Sequence, residues 1–207
     1  VIIIFGIVTG ITVFDYNSFN SNVAIQNLSD DIALSIRKAQ SYATGTQGSA
    51  NFGFDNGYGV HFSISQYDET FETPGSIKSF IMYTDFNPPG GGYVFSTSGT
   101  CTKSTPTNEC SEIVKINGAE VVQDIYIDKG AGMENIRNFG PDASLDIVFL
   151  RPNADAMFCF KSVTKSGSSC EITSISRADI VISNNQSGDR LRTKTISIQN
   201  TGQIYIQ

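Results

Sequence analysis

The sequence predicts an α+β chain in which a long N-terminal α-helix packs through its C-terminal half on an antiparallel β-sheet head. Three observations predict it. Residues 1–14 (VIIIFGIVTGITVF) carry no charge and only two hydroxyl side chains. No proline interrupts the chain from Val1 to Ala43, and apolar or small residues recur there at helical spacing. After residue 50 the period changes to alternation, as in Tyr58, Val60, Phe62 and Ile64, the pattern of a half-buried strand.

The helix is expected over residues 1–44, with an apolar part at 1–23 and an amphipathic part at 24–44; the β-rich head takes 45–207. Leu28, Ile32, Ser35, Ala39 and Ala43 recur at spacings of three and four, and Phe19 and Val23 begin a similar stripe one turn earlier. Asp30, Asp31, Arg37, Lys38 and Gln40 fill the other side. Gly45 and Gly48 lie where the helix should stop. Such a helix runs about 65 Å, longer than a head of this size requires. Leu28, Ile32 and Ala39 are the residues expected to meet the sheet. With no long linker and no internal repeat, helix and head should form one unit.

As a helix, residues 1–14 cover only about 21 Å, short of the roughly 30 Å hydrocarbon core. They also lack the basic start and small-residue cleavage site of a secretory signal. Either the chain begins part-way through a longer apolar segment, or the segment buries itself against protein; a plain membrane anchor is the simpler alternative. Gly6 and Gly10 each cost about 1 kcal/mol relative to Ala in a helix interior, and allow close helix packing or local melting.

Strands are expected near 58–64, 80–84, 93–96, 113–116, 121–127, 145–150, 156–163, 178–183, 195–199 and 203–206. Asn200-Thr201-Gly202 marks a tight turn closing a terminal hairpin. Two loops stand out. DFNPPGGG at 85–92 combines two prolines with three glycines; Asp85 and Asn87 could open a calcium loop, but the later acidic ligands are missing. The other, 102–109, lies between two cysteines.

The four cysteines, Cys101, Cys110, Cys159 and Cys170, allow three pairings. Cys101–Cys110 and Cys159–Cys170 are favoured because each pair spans a short polar segment, and each bond should stabilise the head by roughly 2–3 kcal/mol. Bridges would place the head outside the cytoplasm. The alternatives are four free thiols or a metal site, but there is no CxxC spacing and His61 is the single histidine. No metal or cofactor is expected.

A net charge of −6 and low charge density oppose general attraction to nucleic acid. The sequence has no phosphate-binding loop, dinucleotide fingerprint or H-E-x-x-H. An acyl-transfer triad would have to use His61, which sits mid-strand and reads as an ordinary exposed or half-buried side chain. Asp30 and Asp31 are adjacent on a helix and do not converge. No enzymatic activity is expected.

Ile3-Ile4-Phe5-Gly6-Ile7-Val8, followed by Tyr16-Asn17-Ser18-Phe19, resembles the N-terminal start of type IV pilins, an apolar run with a central glycine leading into a Tyr/Asn-containing helix. LSDDIALSIRKAQ at 28–40 and the closing ISIQNTGQIYIQ resemble the GspH/FimT-like pseudopilin branch. The resemblance covers the helix well and the head loosely. It implies a pilin-like fold and a structural subunit of an extracellular type IV pilus, serving surface adhesion, motility or host contact. The implied partners are identical subunits in a helical homopolymer, the cytoplasmic membrane before assembly, and the assembly machinery. The filament-core residues it implies are Val1, Ile2, Ile3, Ile4, Phe5, Gly6, Ile7, Val8, Gly10, Ile11, Val13, Phe14 and Asp15. Alternatives within the resemblance are a minor pilin, a type II secretion pseudopilin, or a DNA-uptake receptor.

Two departures matter. The family's processed start, with a fifth-position glutamate, is absent. Aligning Gly6 with the family's central glycine implies about eight further residues upstream of Val1, which would extend the apolar helix to about 33 Å, enough to span a bilayer. The DNA-receptor pattern Gly-Arg-x-Arg is replaced by Gly202-Gln203-Ile204-Tyr205. Arg190, Arg192 and Lys194 form a small basic strip that reads as a solvated strand entrance.

Overall fold

The computed structural model describes residues 2–45, 57–65, 76–85, 95, 109–141, 143–150, 152–161, 175–184 and 192–207. It is an α+β fold with one N-terminal helix and two antiparallel sheets. Helix α1 spans Ile2–Thr44; its side chains are described at Ile3 and from Asn20 onward. Among the described residues ten strands follow: β1 Gly57–Ser63, β2 Ser79–Asp85, β3 Cys110–Lys115, β4 Val121–Asp128, β5 Met133–Asn135, β6 Ser144–Phe149, β7 Ala156–Lys161, β8 Arg177–Ser183, β9 Thr193–Gln199 and β10 Ile204–Ile206. A 3-10 turn, η1 Ile136–Phe139, follows β5.

The strands divide in the orders β3-β2-β1-β6-β7 and β10-β9-β8-β4-β5, so the expected sheet is two sheets. They differ in burial. In the second sheet β8 alternates, with Ala178, Ile180 and Ile182 inward and fully buried, as one covered face requires. In the first, every residue of β1, β2 and β6 is buried. The half-buried reading of β1 is therefore corrected. Val60 and Phe62 face the main core, while the opposite face is closed by a second cluster of Ile81, Tyr83, Phe95, Cys110 and Val148.

Helix α1 packs on β1 and β6 of one sheet and on β8, β9 and β10 of the other. Its buried stripe is Ile25, Ser29, Ile32, Ala33, Ile36, Ala39 and Ala43. Ile32 and Ala39 thus lie in the core, and Leu28 is half-buried against it. Ser35 turns back to its own helix, its hydroxyl donating to the Asp31 carbonyl at 2.8 Å, and Ile36 takes the buried place at that turn. Val23 is 39% exposed, so the stripe starts at Ile25. Ser29 is tolerated inside because its hydroxyl donates to the Gln26 carbonyl at 2.7 Å.

The strand at 93–96 is described only at Phe95, and the loops at 85–92 and 102–109 only at Asp85 and Glu109. Gly48, Arg190, Cys101 and Cys170 lie outside the described residues. Strand β5 and η1 were not legible, since Met133-Glu134-Asn135 has no apolar alternation; Asn135 caps η1 by accepting from the Arg137 amide. The β9–β10 hairpin turns through Asn200–Gly202 with Gly202 at φ 79°, a left-handed conformation that suits glycine. A Cβ there would also collide with the Ala154 carbonyl and the Gln40 amide.

The stripe makes a sharp comparison of neighbours. Ile36→Ala is expected to cost about 2–5 kcal/mol by opening a core cavity, whereas Ser35→Ala should stay within about 0.5 kcal/mol. Urea unfolding of the two variants checks this; equal losses would show that the helix is rotated relative to the stripe described.

Candidate functional site

The residues singled out in sequence fall into three places. Residues 2–15 all belong to α1, and of their side chains only Ile3 is described, 77% exposed. The amphipathic stretch forms the seat on the sheets. The cysteines flank the first sheet: Cys110 is on edge strand β3, Cys159 is on edge strand β7, and both are disulfide-bonded. Four strand spacings of about 4.8 Å separate the edges, too far for the two to bond each other. Their partners, and hence the favoured pairing, lie outside the described residues.

Polar contacts fasten the seat at both ends. Near its start the Asn184 side chain donates to the Ser21 hydroxyl at 3.2 Å, and the Arg192 guanidinium donates to the Asn22 amide oxygen. Near its end Gln40 Nε2 donates to the carbonyls of Ala154 (2.9 Å) and Gly202 (3.1 Å), joining helix to terminal hairpin. Lys38 pairs with Glu112 at 2.9 Å and lies over the Tyr42 ring; the hydrogen bond to Glu112 raises its ammonium above the ordinary value. Both partners are exposed, so this pair contributes less than about 1 kcal/mol.

Two hollows flank the helix. One, of about 220 Å³, lies beneath Lys38, Ala39 and Tyr42 against Tyr58, Met82, Tyr83, Ser111 and Glu112. The other, a groove of about 360 Å³, lies between Asn22, Val23, Ile25, Gln26 and Asn27 of α1 and Arg192, Thr193 and Lys194 at the start of β9. The basic strip noted in the sequence is thus the wall of a groove beside the helix, at least for Arg192 and Lys194.

A polar cluster that sequence reasoning missed lies under Phe95 on the far face of the first sheet. His61 is only 7% exposed, which corrects its reading as an ordinary exposed or half-buried side chain. Its Nδ1 donates to Asp146 Oδ1 at 2.8 Å from the neighbouring strand, where the two residues are register partners. Phe95 covers both the His61 ring (5.0 Å between centroids) and the Tyr83 ring (5.2 Å). Tyr83 in turn lies across Gly59, where a Cβ would come within 2.6 Å of its ring. The Tyr83 hydroxyl lies beside the Asp146 carboxylate but outside hydrogen-bonding geometry. Burial pushes its phenol well above the ordinary value, and the carboxylates of Asp146, Asp85 and Glu109 add to the rise. A signal existed: a histidine on β1 and an aspartate on β6 both interrupt apolar strands.

A buried His–Asp pair is two parts of an acyl-transfer triad. Among the described residues no hydroxyl or thiol nucleophile hydrogen-bonds to the ring, and Cys159, the register partner of Asp146, is in a disulfide. Nor is any group of three His, Cys, Asp or Glu residues among those described placed to hold a metal ion. No described helix is long and apolar enough to cross a membrane. No family model matches the chain, and no curated protein or solved structure matches it either.

The Tyr83 phenol sets an alkaline signature. Above about pH 10 an unfolded tyrosine loses its proton while the native Tyr83 keeps it. Its contribution to stability is therefore complete below pH 10 and is lost above it at about 1.4 kcal/mol per pH unit. Tyr83→Phe should change stability by less than about 1 kcal/mol at neutral pH, because no hydrogen bond is removed, and should fall less steeply above pH 10. Denaturant titrations from pH 8 to 11 check this; parallel curves for the two proteins would contradict it.

Proposed function

We propose that this chain is a structural subunit of an extracellular type IV pilus, polymerising through the apolar part of a pilin-like α1 and carrying the two sheets as its surface head. One observation carries the reading. The described seating of α1 runs from Ser21 to Ala43, while the uncharged run at 1–14 lies ahead of it in the same helix. A helix that served the head alone would have no use for that run.

The physical case follows from the apolar side chains. Burying a large apolar side chain from water is worth roughly 1.5–3 kcal/mol, so a bundle of such segments is favourable. Before assembly the segment would rest in the cytoplasmic membrane; leaving lipid gains less, and close helix packing must then supply the association. Gly6 and Gly10 suit that packing. Contacts between different patches on successive subunits do not close, and so build a helical filament. The N-terminal sequence and the 28–40 segment, which resemble the pilin and GspH/FimT-like starts, support the same conclusion.

Electron microscopy of filaments sheared from the source cells, with mass spectrometry of their main band, tests the proposal. This chain is expected as the dominant component. Long filaments in which it is absent or present only in traces would overturn the structural-subunit reading in favour of a minor pilin or a secretion pseudopilin.

A further inference from the structure

Between β3 and β4 the chain leaves the first sheet for the second. Residues 116–120 make the crossing, and Asn117, Gly118 and Ala119 in it are exposed. Its two ends are bonded to the stretch ahead of β2. The Ile116 amide donates to the Lys78 carbonyl and the Val122 amide to the Ile77 carbonyl, each at 2.8 Å. Lys78 also holds the middle, its Nζ donating to the carbonyls of Gly118 at 2.8 Å and Glu120 at 2.7 Å. Gly118 has φ 113°, and a Cβ there would collide with the Glu120 carboxylate, so the bend requires glycine.

That requirement has a chemical consequence. The side-chain amide of an asparagine is open to attack by the backbone nitrogen of the next residue, which makes asparagine one of the labile side chains. A side chain on the next residue shields that nitrogen, and glycine leaves it bare. Among the described residues Asn117 is the asparagine that precedes glycine. Neither its side chain nor the Gly118 amide hydrogen-bonds to any described residue. In α1, by contrast, the amides that follow Asn20, Asn22 and Asn27 are engaged in the helix.

We propose that Asn117 is a self-modification site whose conversion to iso-aspartate loosens the crossing between the sheets. The Gly118 nitrogen bonds to the Asn117 side-chain carbonyl carbon, the bond to the side-chain NH2 breaks, and ammonia leaves with the amide proton. Water then opens the five-membered imide. Addition at the side-chain carbonyl gives aspartate; addition at the main-chain carbonyl gives iso-aspartate, in which the backbone runs through the side chain. Nothing is oxidised or reduced. The longer backbone between Ile116 and Gly118 carries the Gly118 carbonyl away from the Lys78 ammonium. The reaction draws only on the described crossing and is independent of the filament reading.

Prolonged incubation of the folded full chain at pH 8 in oxygen-18 water, followed by peptide mass mapping, tests the proposal. Position 117 should lose its amide, take up solvent oxygen and yield iso-aspartate, detected by enzymatic methylation, as a major product. The converted chain should unfold in urea with an equilibrium constant raised about tenfold, as expected for loss of a hydrogen bond to a charged group. Asn117→Gln must close a larger ring and removes no described contact. That variant should keep both its amide and its stability over the same period. An intact Asn117 in the folded chain, whether or not the urea-unfolded chain converts, overturns the proposal. Conversion without loss of stability overturns the loosening of the crossing. Equal loss of stability in Asn117→Gln assigns the change to another site, such as the Asn56-Gly57 pair, and overturns it too.

Discussion

The structure depends on one constraint: a single stripe of α1 must satisfy two sheets at once. Ile25, Ile32 and Ile36 supply bulk, while Ala33, Ala39 and Ala43 keep the helix close to the strands on either side. The inner faces of both sheets join this stripe in one core, from Val60 and Leu145 on one side to Ile125, Ile180 and Ile196 on the other. Among the described residues the sheets are tied directly where the Val122 amide of β4 donates to the Ile77 carbonyl ahead of β2, and the Ala156 amide of β7 to the Asn200 carbonyl of the β9–β10 turn. Without the helix the core would lose its common wall, and the two sheets would expose their apolar faces to water. The amphipathic half of α1 is therefore part of the head, whatever its apolar half does.

The first sheet meets a second constraint, since both of its faces are covered. The outer cover includes the buried His61–Asp146 pair, and buried pairs give little net stability because desolvation offsets their attraction. Their value is more plainly positional. The pair joins the two central strands β1 and β6 side chain to side chain, on the face where Tyr83 can lie flat only because Gly59 has no side chain. Removing either partner alone would strand a polar group in the interior. The same cluster explains why Phe95 is buried so far from the main core.

Much of this fold was legible because periodicity reports which faces are covered. The helix, the two-faced change of period after residue 50 and nine of the ten described strands stand out in the residue pattern. The division into two sheets did not, because pairing is set by contacts between distant residues and leaves no local mark. Strand β5 escaped for lack of apolar residues, and the helical stripe was read one residue off at Ser35 because small polar residues fit either face. His61 was misjudged for a related reason: alternation shows that one face is buried but is silent about the other. The groove at Arg192 and Lys194 was visible only as a cluster of charge, since its helical wall lies some 170 residues earlier in the chain.

The bonds from Gln40 to Ala154 and Gly202 have a consequence for the order of events during synthesis. They link the end of α1 to the turn before β10, across a sequence separation of 162 positions. Strands β8, β9 and β10 also supply one whole side of the helical seat. A chain emerging from its N-terminus therefore displays the sticky stripe of α1 long before its cover exists, and contacts so distant in sequence form slowly. In that interval the nascent helix is open to wrong partners, including other nascent helices. Completion of the terminal hairpin is the event that closes this window, so folding quality should be decided at the last strands rather than at the first.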